Sequence, residues 1–452
     1  MAQDFLSFVN QIKSERPDEF VSVSGEIDPA HAITATVVKT EHETKKRPVF
    51  IFEKVKGTNF KVITNIHASR HRLAMSMGVA PREMQKKFLY AMENPIPPKE
   101  VNTGLCKEVI LTGNEVDMMA LPQVVHHGDD GGAYITAAIS FAKDPITGIY
   151  NCAYNRLMIT GRNTTSIHLT LGKHLWEFHQ TATAQGKPLQ VAFAIGVHPA
   201  IALGALSIGS VDEDETHIMG AILEEPLEMV RCETIDVSVP AQAELIIEAE
   251  ISPVKTVEEG PFGEFTGYSL GARDREVVEV KAITHRKDAY FYDMNVGHLD
   301  HMLLSTIPME ANLFRAVRSM VPSVKAVRVP SPFTCFVSIE QRLKGQGKNA
   351  IMSVFGADLY IKRVVVVDHD VDVFDDRQVN WALATRSQPD RDLVLIKNAR
   401  GSDLDPSTAG DDGFTSKWGI DATAKPLLKE FTPRHKFSEG VWDSIDVKSI
   451  IR

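Results

Sequence analysis

Residues 243–283 read AELIIEAEISPVKTVEEGPFGEFTGYSLGARDREVVEVKAI. The two flanks, AELIIEAEI and REVVEVKAI, are rich in Ile and Val and read as strands. Between them a Gly-Pro-Phe-Gly tetrapeptide separates Glu259 from Glu264. Such a turn can fold both carboxylates toward one point. Strand-like text of the same kind precedes it in YITAAISFA, YNCAYNRLMIT, TSIHLTL and LQVAFAIGV. Residues from about 133 to 300 therefore form a β-rich heart. One helix interrupts its first half, HLWEFHQTATAQGK, with Leu175, Trp176 and Phe178 facing inward, and a second is expected over 217–225.

Toward the N-terminus, Phe5, Phe8, Val9 and Ile12 share one helical face, with Asp4 in the N-cap position. PVFIFEKV and FKVITNI flank a KGTN turn and predict a hairpin. PREMQKKFLYAMENP places Met84, Phe88 and Met92 on one stripe, and the Pro95–Pro98 stretch then sets a boundary near 100–115. Toward the C-terminus, helical NLFRAVRSM leads to strand FTCFVSI, strand KRVVVVD, helix DDRQVNWALATRS and strand DLVLI, an alternation that predicts an α/β unit. ARGSDLDPSTAGDDGF, at 399–414, is expected to be an exposed loop. The expected fold class is α+β, with units at 1–115, 116–310 and 311–452.

A chain of 452 residues is long enough for two or three cores. Its 49 Lys and Arg against 59 Asp and Glu give a net charge of −10, which offers a polyanion no attraction, so no nucleic acid partner is expected. The four cysteines, Cys106, Cys152, Cys232 and Cys335, form no CxxC pair, which fits a reducing cytoplasm. The start MAQDFLSFVNQIK is not that of a secretory signal, and no stretch approaches a membrane span.

Close carboxylates suit proton transfer. If one stays near a cation while the other sits against an apolar wall, their pKa values are pushed apart and the second serves as an acid. Glu264, beside Phe262, Phe265 and Tyr268, is the candidate acid, against the alternative of a solvated turn. A second feature is Asn151-Cys152-Ala153-Tyr154-Asn155-Arg156, followed by His174. A spacing of five places Asn151 and Arg156 on opposite faces of a regular strand, so they serve different partners. An amide oxygen, an imidazole and a carboxylate suit Mn2+ or Mg2+. The carboxylate could come from the acidic loop Asp212-Glu213-Asp214-Glu215, and spacing alone does not choose among its members. His126, His127, His198 and His217 are read as loop or core residues without a role. His298 and His301, in GHLDHMLLSTIP, follow a strand, precede an apolar helix start and are candidates to face a ligand. Met309, Phe333 and Phe336 are read as core packing, with shaping of the substrate pocket as the alternative. No GxxxxGK, GxGxxG or GxSxG motif occurs, which removes the usual support for nucleotide hydrolysis, Rossmann hydride transfer and α/β-hydrolase chemistry.

Taken in order, MMALPQVVHHGDDGGAYIT, NCAYNR, TLGKH, the acidic loop before IMGAILEEPLEMVRCET, EEGPFGEFTGY, VDVFDDRQVNWALATR, DRDLVLI and SKWGIDATAKP resemble the signature segments of the UbiD decarboxylases. The resemblance covers most of the chain and is weakest before residue 100. It implies a central split β-barrel, flavin reductase-like, that binds prenylated FMN. It also implies Mn2+ (or Mg2+) at the phosphate, K+ nearby, and a C-terminal domain used for assembly into a homodimer or higher even oligomer. By the same resemblance the metal ligands fall on Asn151, His174 and Glu215, with Asp214 and Glu213 as fallbacks, and the Glu-Arg-Glu network falls on Glu259, Arg156 and Glu264. Asn151, Arg156, Lys173 and Glu215 would contact the cofactor, and Glu233 is structural. Where many relatives have Pro-Gln before the metal histidine, this chain has Gly172-Lys173, which changes how the flavin edge is met.

Decarboxylation leaves a carbanion, and no side chain named here is an electron sink, so a cofactor is required. The implied activity is reversible, non-oxidative decarboxylation of an aromatic, heteroaromatic or α,β-unsaturated carboxylic acid. Arg156 would bind the substrate carboxylate, Glu264 would protonate the carbon, and His298 and His301 would contact the substrate. Expected partners are the acid, CO2 and a flavin prenyltransferase that supplies the cofactor. The competing expectations are a metal-dependent hydrolase or isomerase, and a flavin-binding homologue without catalysis.

Overall fold

The structure, a computed structural model, describes residues 3–408, 413–425 and 440–450. The opening helix Phe5–Glu15 buries Phe5, Phe8, Val9 and Ile12, and the Asp4 carboxylate accepts the Ser7 N–H at 2.8 Å, so the spacing and the cap both read true. Val49–Val55 and Lys61–Thr64 pair antiparallel as the KGTN turn predicts. Phe20–Ile27 joins the first of these strands in parallel. Tyr290–Asp293 joins the second in parallel, so the N-terminal sheet takes its fourth strand from the far end of the β-rich region. One continuous apolar core consequently runs from Phe5 to Ala311.

The nine-stranded central sheet contains every strand-like run read from 134 to 285. All its pairings are antiparallel. Its longest pair is Leu245–Glu259 with Arg273–His285, whose register runs from Leu245↔His285 to Glu259↔Arg273 and slips between Ile251 and Thr256. Pro253, which has no N–H for the ladder, sits in the slip, beside an exposed Val254. One hairpin, 134–143 against 150–161, contributes to both ends of the sheet. Ile139–Lys143 with Tyr150–Tyr154 lies at one end and Tyr134–Ile135 with Leu157–Gly161 at the other. The two end strands do not pair with each other, so by its hydrogen bonds the sheet is open.

The C-terminal unit is α/β, as expected. Its five-stranded sheet has three parallel central strands, Thr334–Ile339, Arg363–Asp368 and Phe414–Ala422. Val364 and Val366 pack into one buried cluster and Val365 and Val367 into another, the period-two signature of a strand covered on both faces. The helix Leu299–Met320 bridges the units, since Leu304, Ile307 and Ala311 belong to the long core while Leu313 and Val317 belong to the C-terminal one. The helix expected over 217–225 begins earlier, at Glu215, capped by Asp214. The 399–414 loop corrects the sequence reading in part: Ser402, Asp405 and Thr408 are buried, Asp405 meeting Lys362 Nζ at 2.7 Å, while Asp403, Pro406, Ser407 and Phe414 are exposed as expected. Residues 409–412 of that loop lie outside the described residues. Among the described residues no helix is long and apolar enough to cross a membrane.

Candidate active site

Strand Leu245–Glu259 delivers Glu259 at its last residue, and the chain then turns through Gly260-Pro261 into the short strand Phe262–Gly263. This strand pairs with Ser269–Leu270, and the Glu264 N–H donates to the Tyr268 carbonyl at 2.8 Å. The turn is clamped by the 126–132 loop. Gly131 N–H donates to the Pro261 carbonyl at 2.8 Å, and Asp130 accepts the His126, His127 and Gly263 N–H groups. A Cβ at Gly131 would lie 2.0 Å from the Gly260 carbonyl oxygen, so only glycine permits this approach.

Arg156, in the short link between Tyr150–Tyr154 and Leu157–Gly161, faces that turn. Its Nε donates to Glu259 Oε1 at 2.9 Å and its Nη1 to Glu264 Oε1 at 2.5 Å, while the guanidinium lies 4.9 Å from the Phe262 ring centroid. Burial opposes the charge on Arg156, yet Glu264 and Glu259 outweigh it and raise its pKa. Burial pushes the Glu264 pKa above the ordinary glutamate value. Arg156 pulls it down, and Glu259 and Asp403 add to the upward push. Both acids are buried, and Glu259 Oε2 has no hydrogen-bond partner. The turn therefore does what its sequence suggests: it holds two acids on one guanidinium, one of them biased toward its protonated form.

Asn151 and Arg156 do serve different partners. Asn151 Nδ2 donates to Glu215 Oε1 at 3.2 Å, and the Cys152 N–H donates to Glu215 Oε2 at 3.0 Å. Of the acidic loop it is thus Glu215 that meets the strand. Asp214 is occupied as the cap of Thr216 N–H at 2.9 Å. Burial raises the Glu215 pKa to about 8, and Asn151 Oδ1 is buried without a partner. An orphaned amide oxygen beside a buried carboxylate is a donor set that a hard cation would satisfy. His174 opens the helix His174–Ala184, half-buried, and makes no hydrogen bond to either residue; Lys173 before it is exposed. Among the described residues no three His, Cys, Asp or Glu side chains cluster closely enough to hold a metal by themselves. Glu233 pairs with Lys107 at 2.5 Å, in keeping with its structural reading.

His298 and His301 stand at the start of the bridging helix. His298 stacks on His127 with centroids 6.2 Å apart, and burial lowers its pKa. His301 packs edge-on against Phe265 at 6.4 Å; burial lowers its pKa to about 4, and its Nδ1 is buried without a partner. His126 forms a buried 2.9 Å pair with Asp293 and His198 accepts the Ala200 N–H at 3.2 Å, so both are structural as read. His127 lies in a loop, as read. It touches both the PFGE turn, where a Cβ on Gly263 would lie 2.8 Å from its Nδ1, and His298. Tyr134, whose ring lies tilted at 43° with its centroid 4.2 Å from that of Phe262, and His168, whose neighbours are Arg156, Arg273 and Arg275, also border the site. No local motif marks these three; only the approach of separate strands does.

Three family models cover the chain. The 3-octaprenyl-4-hydroxybenzoate carboxy-lyase N-terminal domain matches residues 13–92, the Rift-related domain 99–299 and the C-terminal domain 302–422. Among curated relatives, the anhydromevalonate phosphate decarboxylase of Methanothermobacter thermautotrophicus is 36% identical over 397 residues, covering 87% of this chain and 92% of that protein. The phenolic acid decarboxylase of Sedimentibacter hydroxybenzoicus is 30% identical, covering 96% and 93%. Among solved structures, the UbiD-class enzyme HmfF from Pelotomaculum thermopropionicum in complex with FMN superposes with a TM-score of 0.92 at 38% identity, covering 98% of this chain and 99% of that one. An evolved dimeric form of the same enzyme in complex with prFMN gives 0.89 at 36% identity, covering both chains fully. With matches along its whole length and a guanidinium gripped by two buried acids, the chain belongs to the UbiD family and is a carboxy-lyase of that family.

Proposed function

We propose that this decarboxylase acts on an aromatic or heteroaromatic carboxylic acid with prenylated FMN seated beside Arg156, Glu259 and Glu264. The observation that carries the proposal is the pair of bonds from one guanidinium to two buried acids, of which Glu264 is biased toward its protonated form. When bound, the prenylated flavin supplies the electron sink that the side chains lack. Arg156 meets the substrate carboxylate, using Nη2, which donates to neither acid. Glu259 fixes the guanidinium through Nε. Glu264 holds the proton destined for the carbon that loses CO2, and in the reverse direction its carboxylate takes that proton back. His301 Nδ1 offers a hydrogen bond to a ring heteroatom or polar substituent, and His298 lines the same side.

Asn151 Oδ1 and the Glu215 carboxylate, with His174, would hold Mn2+ or Mg2+ against the flavin phosphate, with K+ nearby and Lys173 at the flavin edge. We also propose that the hairpin shared by both ends of the central sheet draws its edges together as a split barrel around the cofactor. The protein is expected to act in the cytoplasm as a homodimer or larger even oligomer, with a flavin prenyltransferase supplying the cofactor. The test is Glu264→Gln in protein co-produced with that prenyltransferase. Flavin content should persist while CO2 release falls by about 10² to 10⁴, the usual worth of a general acid. Undiminished release would remove Glu264 from the role.

A further inference from the structure

The hairpin that joins Val324–Ser331 to Thr334–Ile339 turns through Pro332 and Phe333, with Ser331 paired to Thr334. Phe333 has φ +60. Proline followed by a residue of positive φ is the type II turn pattern, whose second central position ordinarily takes Gly; a bulky side chain there is strained. The strain is held from below, because the Phe333 carbonyl accepts the Lys362 and Arg363 N–H groups at 2.9 and 2.8 Å. Nor does the ring go into the C-terminal core. It is half-buried, whereas Phe336 three residues on is fully packed, so of the aromatics read as core only Phe336 is core.

The Phe333 ring instead meets Phe265, the residue after the proposed proton donor, with centroids 5.6 Å apart and planes at 63°. Phe265 is the hub of a cluster. Tyr360 lies 6.3 Å from it at 67° and His301 6.4 Å at 89°, each edge-on. Tyr360 is aimed by Asp358, whose carboxylate accepts the Tyr360 N–H at 2.7 Å, and it is near enough to Glu264 to feel its charge. Four rings from four separate segments thus gather beside the acid. The one ring nitrogen buried among them without a partner is His301 Nδ1. Backbone strain that survives in such surroundings is ground for a hypothesis of function.

We propose that Phe333 is a specificity-determining residue: its strained turn presents the ring to Phe265, His301 and Tyr360 as the wall of a pocket that takes the flat ring of an aromatic acid. This rests on the decarboxylase reading and adds what selects the substrate. A planar ring gains edge-to-face or offset contacts from such a wall that an aliphatic unsaturated acid of the same charge does not.

Phe333→Gly tests it, because glycine suits the turn and removes only the ring. Holoenzyme, wild type and F333G, is melted and then titrated calorimetrically with benzoate, 2-naphthoate and crotonate. The expected result is a melting temperature unchanged or raised by roughly a few degrees. Benzoate and naphthoate should bind about threefold to tenfold more weakly, with crotonate unaffected, and Phe333→Tyr should restore the aromatic affinities. Equal aromatic affinities in wild type and F333G, equal weakening of all three acids, or no aromatic binding to wild type would overturn the proposal. Selective weakening in F333G, together with wild-type holoenzyme that releases CO2 from no acid, would leave the pocket standing and defeat the decarboxylase reading instead.

Discussion

Replacing Arg156 by methionine keeps an apolar stem against Phe262 and leaves Glu259 and Glu264 without the guanidinium they share, with Arg275 remaining in electrostatic reach of Glu259. Both acids are buried, and each loses a charge-assisted hydrogen bond, at 2.9 and 2.5 Å. Such bonds are worth about 1.5 to 3 kcal/mol apiece, and removing one partner of a buried pair costs about 3 to 5 kcal/mol. That penalty belongs to the charged acids, so it depends on pH. Without the guanidinium the folded-state pKa of Glu264, already raised by burial, rises further above the unfolded value near about 4.3. The folded variant then holds more protons than its unfolded chain, so stability is greatest at low pH and is lost as pH rises through the raised value. Urea denaturation of wild type and R156M at about pH 5 and about pH 8 measures the difference. At the higher pH the variant should be less stable by about 3 to 5 kcal/mol. At the lower pH the deficit should shrink to about 1 kcal/mol, the worth of the lost cation–ring contact. A deficit that is the same at both pH values, or below about 1 kcal/mol at the higher, would refute the reasoning that two buried charges depend on Arg156.

Turnover should fall as pH rises through the raised pKa of Glu264, since the donor must hold its proton; a pH–rate profile of kcat with no fall anywhere above the ordinary glutamate range would count against it. His174→Ala should lower the flavin content of purified protein, read from its visible spectrum, and full occupancy would show that the imidazole is no part of the metal set. Gly131→Ala, whose Cβ would meet the Gly260 carbonyl oxygen at 2.0 Å, must push the PFGE turn away from Arg156. A displacement near 1 Å at a catalytic group lowers rate about 10²-fold, measurable as CO2 release with flavin content unchanged.

What local sequence governs was legible. Asp4 caps the helix that its neighbours' spacing predicts, and Val49–Val55 and Lys61–Thr64 form the hairpin that their turn allows. The Gly-Pro-Phe-Gly turn brings Glu259 and Glu264 to one partner. Each is decided within about twenty residues by periodicity, capping or turn geometry, which the chain carries wherever it is placed. Asn151, within the strand Tyr150–Tyr154, and Arg156, in the link after it, likewise meet different partners, Glu215 and the acid pair.

Other features depended on contacts between distant segments. The N-terminal sheet is completed by Tyr290–Asp293, and the expected surface loop after residue 399 is drawn inward at Asp405 by Lys362. His127, set aside as one histidine among several, reaches the active turn only because Asp130 ties its loop to Gly263. Phe333 resembles any core aromatic until its positive φ and its contact with Phe265 are seen together. The sequence determined the elements and the acid pair, because turns and periodic faces are short-range. The tertiary structure alone decided which rings and histidines surround that pair, because burial and partnership arise only when separate strands pack.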